Sequence, residues 1–251
     1  MRRHTLMSVP ILVAAAALGL AGCSSNASKP ASSGAAATSA ASPSASPSME
    51  AYCLSDVPDA ISHVTHFDAG GDNVEAFTTG TGPVGVILAH QVDSDLCQWK
   101  QIWPDFTAKG YRVMAISMHA DITADVVAAV KQLRAQGVQK VVLVGASMGG
   151  SAVLAAAGTI TPAVQAVVSL SGPSDFGGAN AIGAVKTLQV PVAYFAGKQD
   201  TEFAGDADSM YDATTEKDKF LHVIDPSSDH GVSLWPTVKG EVLDFVAKRV
   251  G

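Results

Sequence analysis

Val141-Val142-Leu143-Val144-Gly145-Ala146-Ser147-Met148-Gly149-Gly150 is the stretch whose reading decides the fold. Its first four residues are apolar and mostly β-branched, a run that suits a strand buried on both faces of a parallel sheet. A serine between glycines follows directly, and a helix is predicted over 149–158. The chain is therefore expected to turn sharply from buried strand to helix at Ser147. Such a turn needs the flanking glycines. Ser147 must adopt a strained backbone conformation and lift its hydroxyl clear of the sheet, which leaves no room for neighbouring side chains. A helix that starts just beyond it points free N–H groups at any oxyanion formed there. With 24 Ser and 23 Gly in 251 residues, chance alone yields about 0.2 such pentapeptides, so the surrounding sequence must carry the inference.

Outward from this junction the same kind of run recurs. Segments 84–89, 112–116, 140–144, 166–170, 190–195 and 220–224 predict strands, and 98–109, 123–136, 149–158, 179–187, 206–216 and 235–248 predict helices between and after them. Period-2 segments at 63–67 and 74–78, separated by Asp68-Ala69-Gly70-Gly71-Asp72, predict an opening antiparallel hairpin. The alternation predicts an α/β fold: a twisted, mostly parallel sheet of about eight strands, flanked by helices, with its site at the strand C-terminal ends. No internal repeat and no dinucleotide fingerprint stands out.

The N-terminal part reads differently. Residues 1–23 have the pattern of a bacterial export signal: Arg2 and Arg3, an apolar stretch over 9–20, then small residues before a cysteine. Leu20-Ala21-Gly22-Cys23 resembles a lipobox, the pattern of bacterial lipoproteins, in which Cys23 receives a diacylglyceryl thioether and becomes the mature N-terminus. The alternative is an ordinary cleaved signal with an incidental cysteine. Residues 24–50 are almost all Ser, Ala, Pro, Thr and Gly, a composition that cannot bury enough apolar surface to offset the entropy of ordering. As a flexible stalk they would reach about 30 Å. The expected location is extracytoplasmic, anchored to the cell membrane by lipid. Residues 51–251 suffice for one α/β domain. The net charge of −7 lacks the basic excess that a nucleic-acid partner would call for. In an exported chain Cys53 and Cys97 are candidates for a disulfide, which would close a loop of about 45 residues and add up to ~4 kcal/mol; two unpaired thiols are the alternative.

A serine hydroxyl is a weak nucleophile at neutral pH, so acyl transfer needs a base for its proton and a carboxylate to orient that base. Both stand downstream in order. Asp200 ends Gly197-Lys198-Gln199-Asp200 after the strand at 190–195, and His230 lies in Pro226-Ser227-Ser228-Asp229-His230-Gly231 after the last strand. Nucleophile, acid, base is the order of the α/β-hydrolases. Residues 60–250 resemble a compact α/β-hydrolase of the serine-esterase or dienelactone-hydrolase-like kind. The resemblance implies Ser147, Asp200 and His230 as the catalytic triad. Dienelactone hydrolases proper carry cysteine at the elbow, so with Ser147 here only their fold is implied, not their named reaction.

The resemblance also implies an oxyanion hole made by two backbone N–H groups, that of Met148 and one after the third strand. Family members commonly have His-Gly there; this chain has His90-Gln91, which leaves Gln91 N–H as the donor. Lids in the family are commonly inserted after the sixth strand. Only 19 residues lie between Leu170 and Val190, so no large lid domain is expected, and an open cleft suits small or extended acyl substrates.

Asp175 is the alternative acid, whereas Asp229 adjoins His230 too closely to reach its far ring nitrogen. His63, His66 and His222 fall in predicted strands, and His119 with Asp121 lacks metal-site spacing, so no metal and no cofactor is expected. Trp99 and Trp103, four apart, read as core packing, and Asp93, Asp95 and Asp121 as solvated loop residues or an acidic rim. The leading expectation is a serine hydrolase acting on small-molecule carboxylic esters through an acyl-enzyme. Amide or peptide hydrolysis by the same triad, and a non-catalytic binding or scaffolding lipoprotein on this fold, are the alternatives. The oligomeric state is not written in the sequence.

Overall fold

A computed structural model describes residues 53–251. The expected export signal over 1–23, Cys23 with its lipid, and the stalk over 24–50 lie outside the described residues. Strands β1 (Val64–Ala69) and β2 (Asp72–Thr79) form the opening hairpin, turned by Gly70 and Gly71 at φ values of 74° and 112° that only glycine adopts readily. They are followed by β3 (Val84–Ala89), β4 (Arg112–Ser117), β5 (Lys140–Ala146), β6 (Ala166–Leu170), β7 (Val192–Gly197) and β8 (Lys219–Ile224). All eight join in one sheet of order β1-β2-β4-β3-β5-β6-β7-β8, with β2 antiparallel to both its neighbours and every other pairing parallel.

Helices α1 (Trp103–Thr107), α2 (Ile122–Ala135), α3 (Met148–Ala157), α4 (Ala181–Val185), α5 (Thr201–Ala213) and α6 (Trp235–Val250) cover the sheet. The two-residue period of each strand divides its side chains between two cores. In β5, Val141 and Leu143 point to the core shared with α2, α3, α4 and α5, while Val142 and Val144 point to the core shared with α1 and α6. This is why the run at 141–144 is uniformly apolar instead of alternating. Each fully buried Val or Leu contributes roughly 1.5–3 kcal/mol.

The chain leaves β3 for β4 on one side and returns past β3 to β5 on the other. The strand order therefore reverses between β3 and β5, where a parallel sheet opens a crevice at its C-terminal edge. Between β6 and β7 the described chain carries only the five-residue α4, and no large lid is present.

Several predicted elements shift. The helix expected over 98–109 is instead a 3-10 turn, Leu96–Trp99, followed by the short α1. Pro104 lacks the N–H needed to continue a helix from the preceding turn, and Asp95 starts the 3-10 turn early by accepting Cys97 N–H at 2.7 Å. The helix expected over 206–216 spans Thr201–Ala213, and that over 179–187 shrinks to Ala181–Val185. Trp99 and Trp103 are both buried, as core packing requires, with the Trp103 ring 4.7 Å from Phe77. Cys53 and Cys97 form a disulfide with Cα atoms 6.0 Å apart, which ties the first described residue to the 3-10 turn after β3.

Candidate active site

Ser147, Asp200 and His230 share a local geometry. Each is the residue immediately before a helix: Ser147 before α3, Asp200 before α5, and His230 before the 3-10 turn Gly231–Leu234 that leads into α6. Serine and aspartate are preferred at such positions because their side chains accept a free N–H of the first turn. Here none of the three side chains does so. Asp95, Asp121 and Asn180, in the same position before other helices, all cap, accepting from Cys97, Ala124 and Gly183 respectively. These three junctions follow β5, β7 and β8 in the chain, and none of their side chains is spent on its own helix start.

Ser147 is held at φ 48°, ψ −117°, outside the regions ordinary residues favour, and is almost buried at 7 % exposure. The flanking glycines are required by space. A Cβ on Gly145 would stand 2.1 Å from the Gly149 carbonyl oxygen, and one on Gly149 would stand 2.1 Å from that of Ala89. Ser147 N–H donates to Leu170 O at 2.8 Å, which pins the elbow to the end of β6.

His230 Nδ1 lies 2.7 Å from Asp200 Oδ2. A carboxylate oxygen accepts, so Nδ1 is the donor of this bond, and in the neutral ring that tautomer leaves the lone pair a general base requires on Nε2. Asp200 reaches His230 because the two loops are joined: Gln199 N–H donates to Ser227 O at 2.8 Å, and Lys198 N–H to Ile224 O at 3.0 Å. Gly197 permits this, since a Cβ there would stand 2.7 Å from Asp229 O. Asp229 turns back into its own loop, accepting from Ser227 Oγ at 3.0 Å. Asp175 is not the carboxylate bonded to His230. Phe203, one turn into α5, packs edge-on against the imidazole at 4.3 Å.

The loop after β3 forms the other wall. His90 is buried; its Nε2 accepts Met118 N–H at 2.8 Å and its Nδ1–H donates to Gln91 O at 2.6 Å, joining the ends of β3 and β4. Gly149 N–H donates to His90 O at 3.0 Å, which sets this loop against the first turn of α3. Met148 opens α3, so its N–H belongs to the first turn, where amides lack an intrahelical acceptor. Gln91 N–H is occupied: it donates to Gln98 Oε1 at 2.9 Å.

The remaining histidines lie elsewhere. His63 stands edge-on to Phe77, His66 is 3.3 Å from Glu75, and His222 is 3.0 Å from Glu241. Among the described residues no group of three or more His, Cys, Asp and Glu is placed to hold a metal ion. Of the three acidic loop residues, Asp95 and Asp121 serve as helix caps and Asp93 takes a left-handed turn at φ 56°. Asp125 is fully buried at the start of α2 and accepts His119 N–H at 2.6 Å. Burial pushes its carboxyl above the usual carboxylate range; the His119 bond opposes this, and the charges of Asp72 and Asp121 add to it.

Two residues at the site were not legible in the sequence. Gln98 fell inside a predicted helix, and Phe203 preceded the predicted start of α5. The signal is the Asp200-Thr201 step, a helix-start pair that puts Phe203 one turn beyond Asp200.

A model of the dienelactone hydrolase family matches residues 100–232, just over half of the chain, a span that contains Ser147, Asp200 and His230 but not Gln91. No curated protein matches the sequence. Among solved structures, the chain is similar to a dienelactone hydrolase from Anabaena variabilis, with a TM-score of 0.59 at 21 % identity, covering 74 % of this chain and 97 % of that one. It is also similar to the esterase domain of a Rhodothermus marinus protein, with a TM-score of 0.62 at 24 % identity, covering 74 % and 97 %. A Pyrococcus furiosus esterase aligns with a TM-score of 0.63 at 14 % identity, covering 75 % and 91 %. At these identities the three structures speak for the fold.

Proposed function

The chain belongs to the dienelactone hydrolase family, and from that premise we propose that it is a lipid-anchored, extracytoplasmic serine esterase that cleaves small carboxylic esters with Ser147, His230 and Asp200. It is a hydrolase, which sets aside the non-catalytic scaffold. The observation that carries the proposed mechanism is the 2.7 Å His230–Asp200 bond at two helix starts whose side chains decline to cap.

In this reading Ser147 Oγ attacks the ester carbonyl carbon while His230 Nε2 takes the hydroxyl proton. Asp200, bonded to Nδ1–H, stabilises the imidazolium. The carbonyl electron pair moves onto oxygen, where Met148 N–H and Gln91 N–H receive it, each contributing ~3–4 kcal/mol in the transition state. Collapse breaks the bond to the leaving alkoxide, which takes the proton back from His230. Water then attacks the acyl-enzyme by the same route and releases the acid. For Gln91 to take part, its N–H must leave the Gln98 carboxamide. An oxyanion is a stronger acceptor than a neutral amide, since charge-assisted hydrogen bonds are roughly twice as strong, so the exchange is favourable as charge develops.

Ser147→Ala is expected to abolish turnover of short p-nitrophenyl esters with the circular dichroism spectrum unchanged, and Asp200→Asn to lose far more activity than Asp175→Asn. Retained turnover in Ser147→Ala would sink the reading, and a greater loss in Asp175→Asn would reassign the acid. Anchoring rests on Leu20-Ala21-Gly22-Cys23. Cys23→Ala should move the protein from the membrane fraction to the soluble fraction; continued membrane association with no lipid at residue 23 would refute it.

A further inference from the structure

Gln91 stands where the family resemblance leads one to expect glycine, and its side chain makes a bond that glycine cannot. Its Oε1 accepts Val232 N–H at 2.8 Å, 141 residues along the chain and two residues beyond His230. That amide sits in the first turn of the 3-10 helix Gly231–Leu234, where N–H groups have no partner within the helix. The residue before such a helix ordinarily supplies a capping side chain. Here that residue is His230, whose Nδ1 is committed to Asp200 and whose Nε2 serves the nucleophile in the proposed mechanism. A cap has to come from another part of the fold, and Gln91 provides it.

The approach is sterically prepared. Gly231 has φ 55°, and a Cβ built on it would stand 2.1 Å from Gln91 Oε1 and 2.7 Å from its Cδ. The Gln91 backbone is fixed independently of this contact by its carbonyl, which accepts His90 Nδ1–H at 2.6 Å. A rigid loop at the end of β3 thus grips the turn that carries the base.

We propose that the Gln91 carboxamide is a positioning residue: by capping Val232 N–H it fixes the backbone beyond His230 and holds the imidazole in register with Ser147 and the oxyanion donors. The proposal rests on the Ser147–His230–Asp200 reading. One residue then serves both sides of the reaction: its backbone N–H, once released from Gln98, receives the oxyanion, and its side chain orders the base. Asp200 restrains the ring at Nδ1, and the cap restrains the main chain that bears it.

The test compares Gln91→Met, which removes the acceptor but keeps the length and the residue-91 N–H, with Gln91→Glu, which keeps an acceptor. On a short p-nitrophenyl ester, Gln91→Met should lose roughly tenfold to hundredfold in kcat, with KM within about twofold, because misplacing a catalytic group by about 1 Å has this effect. Fluorophosphonate labelling of Ser147 should slow in parallel. Gln91→Glu should keep most of kcat at alkaline pH, while its added negative charge favours the imidazolium and moves the acid limb of the kcat/KM profile to higher pH. Gly231→Ala, whose methyl group displaces the carboxamide, should reproduce the loss, and combining it with Gln91→Met should lower kcat little further. A folded Gln91→Met with wild-type kcat overturns the proposal, as does a Gln91→Glu as impaired as Gln91→Met. Should Gln91→Met fail to fold, unchanged kcat in Gly231→Ala overturns it instead. A wild-type chain that takes no fluorophosphonate, or a Ser147→Ala that keeps its activity, refutes the underlying triad whatever the Gln91 variants do.

Discussion

Gln98 and Gln91 show how much of this site depends on single side chains outside the Ser-His-Asp set. Gln98 Oε1 accepts the Gln91 N–H at 2.9 Å, the amide that the proposed mechanism needs for the oxyanion. A neutral hydrogen bond contributes about 0.5–1.5 kcal/mol net, so removing this acceptor should free the donor by roughly two- to tenfold. Gln98→Ala is therefore expected to raise kcat/KM for small acyl esters within that range, measured by steady-state hydrolysis. A marked fall would mean that the Gln98 carboxamide itself aids the reaction. The sequence names Ser147, Asp200 and His230 because their residue types and order are distinctive. It is silent on Gln98, because a glutamine in a helical pattern carries no sign of the backbone it will meet.

Junctions between elements carry the proposed catalytic residues, and junctions are where sequence periodicity is weakest. The strands β3 and β6 match their predicted limits because largely apolar runs end abruptly at polar or turn residues. Helix α5 starts five residues before the apolar pattern indicates, because its first turn, Thr201-Glu202-Phe203, buries little apolar surface. Asp125 belongs to this scale too, since it anchors the loop between β4 and α2 through His119 N–H. Its carboxyl is pushed up by burial, so the folded state binds its proton more tightly than the unfolded chain does. The stability it contributes is therefore fullest below the ordinary carboxylate pKa and declines as pH rises through the elevated folded value. Asp125→Asn keeps an acceptor for His119 and has no charge to bury. The Tm difference between variant and wild type should shift in favour of the variant as pH rises from acidic to neutral, and a pH-independent difference would contradict this.

The described residues 53–251 form a single sheet between two cores, with a disulfide between Cys53 and Cys97. Cys53–Cys97 closes a loop across 44 residues, and the chain-entropy model assigns such a closure about 4 kcal/mol. Replacing both cysteines by alanine should lower Tm by roughly 10 °C, read by thermal denaturation, and reductant should then have no further effect. An unchanged Tm would show that the bridge merely joins parts already held by β1, β2 and the 3-10 turn. At this scale the division between sequence and structure is plain. The α/β architecture, its mostly parallel sheet and the order of Ser147, Asp200 and His230 are determined by the sequence itself, because burial on both faces requires largely apolar runs and a strained elbow requires small neighbours. Which aspartate His230 would take, that Gln98 occupies the Gln91 amide, and that Gln91 caps the turn after His230 were decided only by tertiary structure. Those are contacts between residues up to 141 apart, set by how the loops meet at the sheet edge, and no local pattern encodes them.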